Sequence, residues 1–78
     1  PPAGRPYFWT EVFGRRVQVL GHVPMSPSPA EQLADYPERH GAVFRFDQDG
    51  SPAAWVAINA PRDFAMILME EKAPKAMT

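Results

Sequence analysis

The sequence contains no cysteine. Disulfides, thiolate metal sites and cysteine nucleophiles are therefore excluded. The lack of cysteine is compatible with the reducing cytoplasm, which is the expected location. There is also no excess of charge of either sign. Eight Lys+Arg oppose nine Asp+Glu, a formal net charge of −1. A chain so balanced has no electrostatic footprint for nucleic acid or an anionic membrane. The longest apolar runs, such as residues 64–69, are far short of the roughly 20 residues that span a bilayer. No basic segment followed by an apolar one opens the chain, so no signal peptide is expected. Gly14, Gly21, Gly41 and Gly50 stand apart from one another, which excludes a Gly-rich phosphate loop.

What is present suits one small domain. The chain has 78 residues, of which 45% are apolar, too many for a disordered polypeptide. A domain of this size buries only about 60–65% of its unfolded surface, so its stability is marginal. The first residue is Pro1 rather than Met, and the last seven residues read KAPKAMT. The expectation is a piece of a longer protein, with residues 1–6 (PPAGRP) as a Pro/Gly linker, 7–74 as a domain and 75–78 as a loose tail.

Residues 7–13 are rich in strand formers. In an extended chain Phe8, Thr10 and Val12 lie on one side, and Tyr7, Trp9 and Phe13 on the other. Gly14-Arg15 reads as a turn. Residues 16–23 alternate, with Val17 and Val19 on one face and Arg16 and Gln18 on the other. The two runs read either as a hairpin or as an extended loop leading into one good strand. Four prolines between residues 24 and 37 exclude a central strand there. Ser28-Pro29-Ala30-Glu31 is a capping-box pattern with proline in the first helical position, predicting a helix of about two turns that Pro37 ends. Leu33 and Tyr36 would face inward from it. Residues 42–46 alternate again, DQDG at 47–50 is a hairpin turn, and 53–58 return as a strand apolar on both faces, hence central. Asn59 is a suitable N-cap for a last helix, with Pro61 and Asp63 in its first turn. Phe64, Ile67, Leu68 and Glu71 share one helical face, and Met66 and Met69 widen the apolar surface. The expected fold is α+β: a small antiparallel sheet with one or two helices packed on one face.

No set of residues here is able to run a reaction unaided. DQDG resembles the opening of a calcium loop, but Ile58 stands where the twelfth position needs a glutamate. His22 and His40 are far apart and lack nameable partners, so neither a metal site nor a catalytic histidine is read. Ser26 and Ser28 lack a nucleophile elbow, and Glu70-Glu71 reads as a solvated helix end. The aromatic triplet Tyr7-Phe8-Trp9 is different. Alternation sends Phe8 and Trp9 to opposite faces, so one suits the core and the other does not easily follow. For Trp9 two roles stay open: packing in the core or at an edge, and recognition, since tryptophan is enriched at contact hot spots.

PYFWTEVFGRRVQVLG at 6–21 resembles the opening of the C-terminal domain of the flavin-dependent NAD(P)H:ferredoxin reductases. These belong to the pyridine nucleotide-disulfide oxidoreductase superfamily and serve bacterial Rieske dioxygenases and cytochrome P450 systems. Phe8, Trp9, Phe13, Val17, Gln18, Val19 and Gly21 fit the family's aromatic–Phe-Trp run and the alternating strand after it. AINAPRDFAMILME at 57–70 is similar to its Asn-x-Pro-x-(Asp/Glu)-Phe helix opening, and residues 43–60 to its hairpin. Thr10, Glu11 and Val12 depart from the family's usual Ser, Asp and Gln. The family also has a strand between Gly21 and Ala42, where this sequence reads helical.

The resemblance implies a bacterial flavoprotein parent whose FAD and NAD(P)H are bound by upstream domains, with none bound by this fragment alone. It implies that Phe8, Trp9 and Thr10 lie beside the flavin, and that Trp9 also meets the electron acceptor, a ferredoxin (an iron–sulfur protein). It implies no catalytic residue and no metal ligand in this chain. The absence of Gly-x-Gly-x-x-Gly fits such a covering domain. The competing reading is a non-enzymatic module that grips a protein through the aromatic edge around Trp9. From its marginal size and the excess apolar surface of its last helix, the domain is expected to self-associate when cut from its parent.

Overall fold

Two hairpins and one edge strand build the sheet. The computed structural model describes residues 7–25 and 28–72. Strands β1 (Tyr7–Val12) and β2 (Arg15–Gly21) pair antiparallel, Val12 opposite Arg15. The two-residue loop between them is therefore Phe13-Gly14, one position earlier than the Gly14-Arg15 turn expected from the sequence. Both residues have positive φ, 52° and 76°. That is the geometry of the tight hairpin turns whose twist matches the strands. Strands β4 (Gly41–Gln48) and β5 (Ser51–Ile58) form the second hairpin. Its loop, Asp49-Gly50, also has positive φ at both residues, 55° and 80°. The DQDG segment is thus a turn, as its composition predicts.

Strand β3 spans Glu31–Tyr36 and completes a five-stranded sheet in the order β1-β2-β5-β4-β3. The short helix expected here is corrected: the segment is an edge strand paired with β4. Glu31, Gln32, Leu33 and Ala34 have fair helix propensity, but the span is bracketed by prolines and too short to overcome the cost of helix nucleation. Pairing with β4 offers the backbone its hydrogen bonds instead. The Ala30 N–H donates to the Arg45 carbonyl at 2.8 Å, extending the pairing into the proposed cap. The register shifts between Gln32 and Ala34, and Leu33 is left 42% exposed rather than facing inward. The prolines confine β3 to an edge, as expected of strands flanked by them. A single 3-10 turn, Pro37–Arg39, leads into β4.

β5 is the middle strand, in agreement with its apolar character on both faces. A 12-residue helix, α1 (Pro61–Lys72), follows it and packs on β5 and β2. The core lies beneath this helix and comprises Leu20, Val43, Trp55, Ala57, Ala60 and Phe64, with Ala34, Tyr36, Ile67 and Leu68 packed against it. Phe64, Ile67 and Leu68 are inward as their spacing predicts. Glu71 on the same face is half-buried rather than solvated. The fold is α+β but mostly sheet, with one helix on one face.

Gly21 shows why the chain leaves β2 where it does. Its φ is 92°, and a Cβ there would lie 2.2 Å from the Ala53 carbonyl oxygen. Only glycine lets the two backbones approach so closely.

Candidate functional site

The cross-strand register assigns each sequence-predicted site residue to a face. Tyr7, Trp9 and Glu11 sit opposite Leu20, Gln18 and Arg16, on the helix side of the sheet. Phe8 and Thr10 sit opposite Val19 and Val17, on the other side. The predicted separation of Phe8 and Trp9 is therefore present. Neither is core, however: Phe8 is 56% and Trp9 61% exposed. β1 is the outermost strand; α1 does not cover Trp9, and Phe8 lies on the face opposite the helix. The member of the triplet that packs is Tyr7, whose ring meets Phe64 edge-on at 5.8 Å between centroids.

Trp9 does not stand alone. The Arg16 guanidinium lies 5.4 Å from its ring centroid, a cation–π distance. Arg16 is diagonal to Trp9 across the hairpin, the arrangement in which long side chains meet. The backbone of Arg16 is held in turn by Asn59. The Asn59 N–H donates to the Arg16 carbonyl at 2.7 Å, and the Arg16 N–H donates to Asn59 Oδ1 at 2.9 Å. Asn59 Nδ2 donates to the Arg39 carbonyl at 2.8 Å, and the Asn59 carbonyl accepts from Arg39 Nε at 2.9 Å. Every polar group of Asn59 is thus engaged, and its φ of 49° is one that asparagine tolerates better than most side chains. Its carboxamide is consequently not the N-cap of α1 expected from the sequence. It is a clamp between β2, the 3-10 turn and the entrance to the helix.

Through this clamp the two motifs of the sequence, one around Trp9 and one around Asn59, become a single structure. Gln18 lies next to Trp9 on the same face, and its Oε1 is buried without a hydrogen-bond partner among the described residues. At the hairpin tip Phe13 is 96% exposed despite its strained backbone. The sequence alone points to neither the Asn59 clamp nor the Phe13 conformation. A cation–aromatic diagonal was readable once the hairpin register was known.

A cleft of about 400 Å³ lies at the far edge of the sheet, lined by Tyr36, Arg39, Arg62, Asp63 and Met66. The Tyr36 hydroxyl donates to Asp63 Oδ2 at 2.7 Å, and the Arg39 guanidinium stacks 4.0 Å above the Tyr36 ring. This hydrogen bond to a carboxylate raises the Tyr36 pKa above the ordinary tyrosine value, with desolvation adding to it. The contacts fasten β3 and the 3-10 turn to the first turn of α1. The cleft is separated from Trp9 by the width of the sheet, so it is a structural joint rather than part of the aromatic site.

His22 and His40 are exposed. Among the described residues no group of three or more His, Cys, Asp or Glu is placed to hold a metal ion. Ser28 lies in the loop before β3 and caps no helix; Ser26 is outside the described residues. Among the described residues, no helix is long and apolar enough to cross a membrane. The arrangement can present a braced aromatic surface to a cofactor or protein.

The fold and site thus define a class: a small antiparallel α+β domain with a buttressed aromatic edge. Comparison with known proteins narrows it. Over 62 residues, 78% of this chain, the sequence is 40% identical to the ferredoxin reductase component of a chlorobenzene dioxygenase from Cupriavidus sp. (strain PS12). The chain is ferredoxin reductase-like over that stretch. The match covers 14% of the relative's length. No family model and no solved structure matches the chain.

Proposed function

We propose that residues 7–74 form the C-terminal domain of a flavoprotein that passes electrons from NAD(P)H through FAD to a ferredoxin. The observation that carries this reading is the union of the two motifs: Asn59 clamps Arg16, and Arg16 caps Trp9. The similarity to a ferredoxin reductase component supports it. In this role the domain covers the flavin and shapes the face on which the ferredoxin docks, and the parent is a cytoplasmic bacterial oxidoreductase. FAD and NAD(P)H are held by upstream domains, and no redox chemistry is performed by this chain alone. A flavin held there would supply hydride acceptance and one-electron release, and the protein would supply its placement and electrostatics. Phe8 and Thr10 on one side of β1, and Trp9 on the other, flank the flavin edge. Trp9 also meets the ferredoxin, with Arg16 fixing its ring and adding positive charge at the docking face.

The test is made on the polypeptide as its gene encodes it. Upstream Gly-rich dinucleotide-binding motifs and a bound flavin are expected. Trp9→Ala should slow reoxidation of the flavin by ferredoxin at least about tenfold, a rise of about 1.4 kcal/mol in the barrier, while leaving its reduction by NAD(P)H within about twofold. Stopped-flow traces unchanged in both steps would refute the assignment of Trp9.

A second reading is favoured by the exposure of Phe8, Trp9 and Phe13 together. The chain would then be a non-enzymatic module that grips a protein through this edge. It predicts a partner bound by the 78-residue chain without flavin, which titration calorimetry distinguishes.

A further inference from the structure

The helix covers one face of the sheet, and the other face carries a continuous apolar surface. Register sets Phe8, Val19, Val56 and Phe44 side by side, one each from β1, β2, β5 and β4. With strands about 4.8 Å apart, this row extends roughly 15 Å. The neighbouring row is Thr10, Val17, Ile58 and Ala42. In these two rows the one charged residue is Asp35, on the edge strand β3. None of these side chains belongs to the cluster beneath α1. Val17, Phe44, Val56 and Ile58 are half-buried, and Val19, with Ala54 and Phe46 at one end of the same face, is buried within this chain, while α1 lies on the opposite face. The outer side of α1 is a poorer docking surface, because Met66 and Met69 are interspersed with Arg62 and Glu70.

A sheet apolar on both faces calls for a layer on each. We infer that the helix-free face packs against the preceding cofactor-binding body of the parent polypeptide, leaving Met66 and Met69 of α1 outside. The inference rests on the reading of the chain as one domain of a reductase. Two observations select this occupant over others. The matched relative is about seven times as long as the segment it shares with this chain, ample to supply a covering body. The apolar row also includes Phe8, which belongs to the segment assigned to the flavin side, so the domain contact and the cofactor contact would be one surface.

Single cysteines at Val17→Cys and Val56→Cys, and at Met66→Cys and Met69→Cys as references, test it in the intact polypeptide and in the 78-residue chain. Maleimide labelling is read peptide by peptide, and the native sequence of this chain adds no thiol of its own. In the intact protein, labelling at 17 and 56 should be about tenfold or more slower than in the 78-residue chain, with 66 and 69 unchanged. Hydroxyl-radical footprinting of the unsubstituted protein should show the same contrast between Phe44 and Met66, and it serves if a variant fails to fold. Equal labelling of all four sites in a flavin-loaded protein overturns the inference while leaving the reductase reading intact. Protection at 17 and 56 without any bound flavin supports the packing and counts against the reductase reading. Protection that disappears on dilution of the intact protein assigns the face to a second copy and overturns the inference. A gene that encodes no more than this domain overturns both.

Discussion

Replacing Asn59 should reveal how strongly one residue holds the site together. In Asn59→Ala two short side-chain hydrogen bonds are lost, one accepted from the Arg16 N–H at 2.9 Å and one donated to the Arg39 carbonyl at 2.8 Å, with a longer one to the His40 carbonyl at 3.5 Å. Both lie near solvent, so each contributes about 0.5–1 kcal/mol. The backbone at φ 49° must also be held by a residue poorly suited to it, costing about 1 kcal/mol more. The sum is about 2–3 kcal/mol, a large share of the roughly 4–12 kcal/mol that a domain of this size possesses. Asn59→Gly loses the same hydrogen bonds but accepts the positive φ. It should therefore be about 1 kcal/mol less destabilised than the alanine variant. Urea denaturation followed by tryptophan fluorescence measures all three proteins. Near-equal losses in Ala and Gly would show that the left-handed backbone is not a constraint. Losses below about 0.5 kcal/mol in both would refute the clamp itself.

The turn residue Phe13 makes the opposite prediction. Asparagine suits the left-handed first position of such a turn, so Phe13→Asn should stabilise the chain by about 1 kcal/mol; a loss of stability in denaturant would contradict the strained-turn account. The Tyr36–Asp63 bond carries a pH signature. A tyrosine whose folded pKa is raised contributes stability that is present below the unfolded value near pH 10 and lost as pH rises through the higher folded value. Thermal melts should accordingly fall more steeply above about pH 10 in the native chain than in Tyr36→Phe, and parallel curves would sink the assignment. The uncovered sheet face should make the 78-residue chain self-associate at high concentration, and light scattering that shows a clean monomer there would argue against a sticky face.

Much of the fold was legible because it is written in local patterns. Alternation set the two faces of β1 and β2, the apolar run at 53–58 marked the central strand, and Asp-Gly announced its hairpin. The i, i+3, i+4 spacing of Phe64, Ile67 and Leu68 announced the helix. The segment 28–36 was misleading for a physical reason. Its residues tolerate a helix and its start looks like a cap, but the open edge of β4 supplies backbone partners from a distant part of the chain. Asn59 was misread in the same way: a good cap residue in isolation, it meets better partners once the sheet has folded.

The candidate site divides along similar lines. Residues 7–13 by themselves determined that Phe8 and Trp9 point apart, because strand geometry alternates regardless of context. The sequence likewise determined that the chain holds no thiol and no Gly-rich phosphate loop. Whether Trp9 was core or surface was decided only by tertiary structure, since that depends on how far α1 reaches across the sheet. The meeting of Trp9, Arg16 and Asn59 was decided there too, because 43 residues separate Arg16 from Asn59 along the chain. So was the uncovered apolar face: period-two patterning shows that both faces of a strand are apolar, but only the position of the helix shows which of them is left for a partner.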